Sequence, residues 1–148
     1  MKKVIFVFLT LILSACATST NQKKYSDFDY SFARSGGLSP IYENLLIKGN
    51  KAHYSFEGQG KNIKKDFTLT NDDLKNIENV LTQNKFRRIQ EDYKKLYDKV
   101  SVEITVKKGS NAGSKTDASL IMEKNKEDWE KIVNTFQEVI NTNIKSKS

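Results

Sequence analysis

The chain opens on an apolar run, Val4–Leu13, interrupted only by Thr10. Met1-Lys2-Lys3 precedes it and Ser14-Ala15-Cys16 follows. A basic start, an apolar stretch and small residues before a cleavage point are the layout of an export signal. At about 10 residues the run is too short for a bilayer-spanning helix, which needs roughly 20. Ala17–Ser26 is polar and lacks an apolar period, so it reads as a flexible tether.

From there the pattern alternates. Phe28, Tyr30 and Phe32 alternate with Asp29 and Ser31, which predicts a strand with the aromatics on one face. Arg34-Ser35-Gly36-Gly37 breaks it, and Pro40, which cannot donate to a sheet, marks the restart. Tyr42–Lys48 follows with Leu45 and Ile47 in phase, and Gly49-Asn50 is a turn pair of the hairpin kind. Ala52, Tyr54 and Phe56 alternate along the return strand. Gly58-Gln59-Gly60 turns again into Lys64–Leu69, with Phe67 and Leu69 inward.

The period then lengthens. Thr70 stands three before Asp73, close to a capping box. Leu74, Ile77, Val80 and Leu81 carry a helix to about Asn84, and Phe86 and Ile89 close over its end. Residues 90–98 are polar with Tyr93 and Tyr97 between and show no period. Val100, Val102, Ile104 and Val106 form the clearest strand. Gly109–Ser114 is a loop, and a strand near Thr116–Met122 pairs back. Asn125, with Asp128 three later, is the expected cap of the last helix. Its stripe is Trp129, Ile132, Val133, Phe136, Val139, Ile140 and Ile144. The order β-β-β-β-α-β-β-α predicts an α+β fold, an antiparallel sheet of four to six strands with two helices packed on one face. The expected organisation is a signal over 1–15, a tether over 16–26, one domain over 27–144 and a frayed tail over 145–148.

Composition adds a bound and a location. Loss of residues 1–15 leaves a length sufficient for one domain with its own core. The formal charge is +7 for 148 residues, and the signal carries Lys2 and Lys3 of it. The basic excess is spread as pairs, such as Lys23-Lys24, Arg87-Arg88 and Lys107-Lys108, with acids between, the pattern of a solvated surface. Export argues against nucleic acid as a partner and leaves anionic headgroups or an acidic protein open.

Cys16 is the single cysteine, so an intramolecular disulfide and a thiolate zinc cluster are excluded. Leu13-Ser14-Ala15-Cys16 resembles the lipobox of bacterial lipoproteins. That resemblance implies acylation of Cys16 and anchoring to the lipid bilayer of the cell envelope. It favours the outer membrane in a Gram-negative host, because Ala rather than Asp follows the cysteine. Each buried acyl CH₂ contributes about 0.8 kcal/mol, and two or more chains hold stably.

Catalytic chemistry finds little support. His53 is the single histidine and alternates out of phase with Tyr54, so it faces outward or fills a polar niche. A zinc site needs three or four ligands, and no metal or cofactor is expected. Gly109-Ser110-Asn111-Ala112-Gly113 misplaces the serine of a nucleophile elbow. Asp72-Asp73 and Glu127-Asp128 fall in expected first helical turns, where acids stabilise the helix dipole. The chain reads as a non-enzyme. Tyr25, Tyr42, Tyr93 and Tyr97 fall outside the apolar phases and are candidates for a protein-binding surface.

Tyr30–Gly37 reads Tyr-Ser-Phe-Ala-Arg-Ser-Gly-Gly. An aromatic strand, then Arg-x-Gly-Gly, then a hairpin resembles the opening of the emfourin family. Phe67–Leu74 is similar to the strand-to-helix junction there, as are Asp98–Val106 and the closing helix. The family consists of small α+β proteins that inhibit thermolysin-like metalloproteases. The resemblance therefore implies such a protease as partner and places the contact on Arg34, Ser35, Gly36, Gly37 and Leu38. Two other roles stay open: a structural lipoprotein supporting an outer-membrane complex, and a small-ligand binder.

The lipobox makes one expectation directly measurable. Cys16→Ala should abolish palmitate labelling and release the chain from the membrane fraction; a mutant that still labels and still sediments with membranes refutes lipidation.

Overall fold

The computed structural model describes residues 27–94 and 96–145. The export signal, Cys16, the tether and the last three residues lie outside the described residues. Four strands come first: β1 Tyr30–Gly36, β2 Ile41–Lys48, β3 Lys51–Gly58 and β4 Lys61–Thr68. Helix α1 spans Asn71–Gln83, and a short 3₁₀ turn covers Phe86–Arg88. Strands β5 Val100–Val106 and β6 Gly113–Thr116 follow, and helix α2 closes the chain over Glu123–Lys145. The sheet order is β4-β3-β2-β1-β5-β6, with every neighbouring pair antiparallel. This is the expected α+β layer, with six strands.

The alternation read from the sequence sets the faces. Phe32, Leu45, Ile47, Ala52, Tyr54, Val102, Ile104 and Val106 are buried under the helices. Ile77 and Leu81 of α1 and Trp129, Ile132, Phe136, Val139 and Ile140 of α2 complete that core. The rings of Phe32 and Phe136 stack with centroids 5.6 Å apart. The opposite face carries Ser31, Ala33, Ser35, Asn44, Ser55, Ser101 and Thr105, and no helix of the described residues covers it.

Helix α1 starts as its local sequence dictates. The Thr70 Oγ1 accepts from the Asp73 N–H, and the Asp73 carboxylate accepts from the Thr70 N–H, so both halves of the capping box form. Asn84 ends the helix, and Phe86 and Ile89 are buried over its end.

Four expectations are corrected. Strand β1 does not break at Arg34; it continues through Gly36, which pairs with Ile41 on one side and Val100 on the other. Phe28 precedes the strand rather than belonging to it, and its ring lies under the Lys107 ammonium at 3.9 Å. The last strand is Gly113–Thr116, not Thr116–Met122, because Asp117 turns the chain. Its carboxylate accepts from the Val102 N–H and the Trp129 indole N–H, while its own N–H donates to the Val102 carbonyl. Helix α2 begins at Glu123, so Asn125 is not its cap; the Asn125 Oδ1 instead accepts from the Gln90 N–H. Glu127 consequently sits past the first turn and pairs with Lys131 four residues on.

The Phe32–Phe136 stack joins the middle of the sheet to the middle of α2. Phe136→Ala should cost about 3–5 kcal/mol of unfolding free energy. A denaturation series giving less than half of that for Phe136→Ala means the helix is not fixed to the sheet there.

Candidate functional site

The residues proposed for partner contact lie at one end of the sheet, but alternation sends them in different directions. Arg34 shares the inward face with Phe32 and lies opposite Glu43 in the β1–β2 register. Its Nη1 donates to Glu43 Oε2 at 2.8 Å and to Gln137 Oε1 of α2 at 3.1 Å. The Glu43 Oε1 accepts from the Tyr54 hydroxyl at 2.8 Å. Glu43 is only 7% exposed. A buried carboxylate needs such donors, because an unpaired one is strongly disfavoured in a low-dielectric layer. Arg34 is therefore committed to an internal ion pair. Its removal would leave Glu43 short of a donor, at a cost of about 1–3 kcal/mol.

Gly36 is fixed for a steric reason. Its φ is +106°, and an added Cβ would stand 2.6 Å from the Lys99 carbonyl oxygen. Any side chain there pushes β5 away from β1. Gly37, Leu38, Ser39 and Pro40 form the turn between β1 and β2. Leu38 is 86% exposed at its tip. Ser35 faces the uncovered side of the sheet, paired with the exposed Tyr42 of β2. The accessible part of this end is thus Ser35, Leu38, Ser39, Pro40 and Tyr42, with Gly36 and Gly37 shaping the backbone that leads into the turn.

A second polar cluster holds the other helix. Glu78 of α1 accepts from the Tyr30 hydroxyl at 2.9 Å and from the Asn111 Nδ2 at 2.9 Å. Asn111 also donates to Thr82 Oγ1, so the β5–β6 loop is tied down onto α1. Ser110 is therefore part of a strand-joining loop. His53 lies on the uncovered face, where its Nδ1 pairs with Asp66 on β4.

Burial and then the hydrogen bond to Glu78 push the Tyr30 phenol up to about 12. Burial and then the hydrogen bond to Glu43 push the Tyr54 phenol above its ordinary range, while Arg34 opposes the rise. Glu43, Glu78 and Asn111 were not expected from sequence. Glu43 had a signal, since it keeps the inward phase of Leu45 and Ile47. Glu78 and Asn111 had none, because their partners are distant in the chain.

No protein-family model matches the chain, and no curated protein matches it.

The two phenols give a pH dependence with a defined sign. Both have folded pKa values raised above the ordinary 10.0. Their stabilisation is whole below the unfolded value and is lost as pH rises through the folded one, about 12 for Tyr30. Denaturant midpoints across this alkaline window should fall more steeply for the native chain than for a Tyr30→Phe, Tyr54→Phe double variant. Parallel slopes would place the alkaline transition elsewhere.

Proposed function

We propose that this chain is a membrane-anchored, non-enzymatic binding module of the bacterial envelope, and that it presents residues 35–38, the end of β1 and the start of the turn, to a protein partner. The observation that carries this reading is Leu38. A large aliphatic side chain stands almost fully in solvent, on a short turn clamped between two paired strands. An apolar side chain on a rigid support binds with little loss of conformational entropy. Gly36 and Gly37, which lead into Leu38, keep that side of the turn free of side chains, so a partner can approach the backbone closely there.

The resemblance to emfourins makes a thermolysin-like metalloprotease the first partner to test. Arg34 belongs to the module as a support. Its charge is turned to Glu43 and Gln137, and it holds the base of the turn rather than its tip. Acylated Cys16 would keep the module at the bilayer.

Leu38→Asp separates contact from folding better than a change at Arg34 or Gly36, which would disturb the sheet. The lipidated protein in detergent should slow a thermolysin-like peptidase. Leu38→Asp should weaken that inhibition at least about tenfold, the effect of losing a central contact residue. Its thermal midpoint should be unchanged. Absence of inhibition across a panel of secreted peptidases rejects the inhibitor reading, and full inhibition by Leu38→Asp rejects the turn as the contact.

A further inference from the structure

Among the described residues, exposed large apolar side chains concentrate away from the turn. Tyr93, Leu96, Tyr97, Leu120 and Met122 all belong to two segments that lie side by side. The Asp92 N–H donates to the Leu120 carbonyl at 2.6 Å and the Met122 N–H to the Gln90 carbonyl at 2.9 Å. A bridge between Glu91 and Ile121 lies between these bonds. Tyr93 is 83% exposed and Tyr97 79%. The backbone of Tyr93 is left-handed, with φ +58°, a conformation an aromatic residue rarely adopts. The fold thus holds a tyrosine outward at a conformational cost.

Cations flank this patch on one side. Arg87, Arg88, Lys115 and Lys124 line a cleft of about 1020 Å³ together with Tyr93 and Met122. Lys126 lines the adjoining groove with Leu120 and Met122. None of these five forms an ion pair among the described residues. Residues 85–99 and 113–126 hold nine Lys and Arg against five Asp and Glu. Lys94 and Lys99 pair with Asp92 and Asp117, which leaves seven of the nine cations against Glu91, Asp98 and Glu123. Asp117 accepts from Val102 and Trp129, Glu91 accepts from the Thr116 N–H, and Asp92 pairs with Lys94. Asp128 also lines the cleft, and Glu123 and Glu130 the groove, so the cationic excess lies on the cleft side.

We propose that this patch docks the domain onto the surface of an anionic phospholipid bilayer. The proposal rests on the reading that the chain is membrane-anchored. Tyrosines suit a bilayer interface because the ring lies among acyl chains and the hydroxyl among headgroups. Leu96, Leu120 and Met122 supply shallow apolar insertion, as in interfacial elements that lie on a membrane without crossing it. The unpaired Lys and Arg side chains meet headgroup phosphates. The tether over 16–26 reaches at most roughly 40 Å when extended. Anchoring would therefore keep the patch at high effective concentration beside the bilayer, so weak docking suffices.

The test uses the full lipidated protein in two sets of vesicles, one of phosphatidylcholine and one of phosphatidylcholine with phosphatidylglycerol. Amide hydrogen exchange is followed in each. Residues 92–99 and 119–124 should exchange more slowly on the anionic set alone, and high salt should remove the difference. Arg87→Glu, Lys115→Glu and Lys124→Glu should each weaken docking about fivefold. The combined variant should lose the protection while staying in the vesicles through its lipid. The corresponding Lys→Arg changes at 115 and 124 should keep the protection. Partition into a detergent phase checks the anchor beforehand. If the chain proves unacylated, the same protein added to the same vesicles should sediment with the anionic set and not the neutral one. Equal exchange, or for an unacylated chain equal sedimentation, with both vesicle sets overturns the proposal. So does protection that appears only when envelope proteins are present, which assigns the patch to a protein partner.

Discussion

The stacking of Phe32 on Phe136 decides which way the central strand faces, and the rest of the structure follows from that. Side chains alternate along a strand, so a slip of one residue would turn Ser31 and Ala33 to the core and expose Phe32. With Phe32 inward, Arg34 and Gly36 must be inward too. The three positions solve different problems under one layer of helix. Phe32 fills the space under α2, Arg34 supplies charge to a buried acid, and Gly36 leaves room for the Lys99 carbonyl. Ser35 and the turn beyond Gly37 are left to solvent as a consequence of the same register.

One buried carboxylate, Glu43, and two half-buried ones, Glu78 and Asp117, give the helix-sheet layer a defined geometry beyond apolar contact. Glu43 links β2 to β1, β3 and α2 through Arg34, Tyr54 and Gln137, although the Gln137 Nε2 contact is long at 3.5 Å. Glu78 links α1 to β1 and to the β5–β6 loop. Asp117 links β5 to α2. Apolar packing is non-directional and tolerates sliding, whereas a hydrogen bond to a buried carboxylate does not. Each acid fixes one element against another at a place where a slide would leave a charge unsatisfied.

The elements with a strong local signal were legible in the sequence. Alternation gave the first four strands and β5, and the Thr70–Asp73 spacing gave the start of α1. What was missed depended on contacts between distant residues. Strand β6, Gly-Ser-Lys-Thr, has no apolar alternation because it is a short edge strand held by pairing with β5. The start of α2 carries no capping residue at Met122, and Asn125 drew attention to itself while serving Gln90. Of the candidate site residues, Leu38 stands exposed and Ser35 lies on the open face. Arg34 is bound internally, which the sequence hides until the register is known. Once Gly36 pairs with Ile41, the hairpin places Arg34 opposite Glu43, and the ion pair follows from counting.

The turn and the basic, tyrosine-bearing patch are connected through the same stretch of backbone. Lys99 follows the segment that carries Tyr93 and Tyr97, and its carbonyl is the group that Gly36 accommodates. Asp27, the first of the described residues, lies at the opposite end of β1, beside Lys48. A tether entering there would let the domain swing about a point remote from the turn. A strand of seven residues spans about 23 Å, less than the extended reach of the tether, so the far end of the sheet can be brought down to the bilayer. Docking through the patch would then hold the turn close to the membrane plane and restrict its approach to partners at the same surface. The two proposals constrain each other in this way: a soluble peptidase would meet the turn best with the patch released, and a membrane-bound partner with the patch engaged.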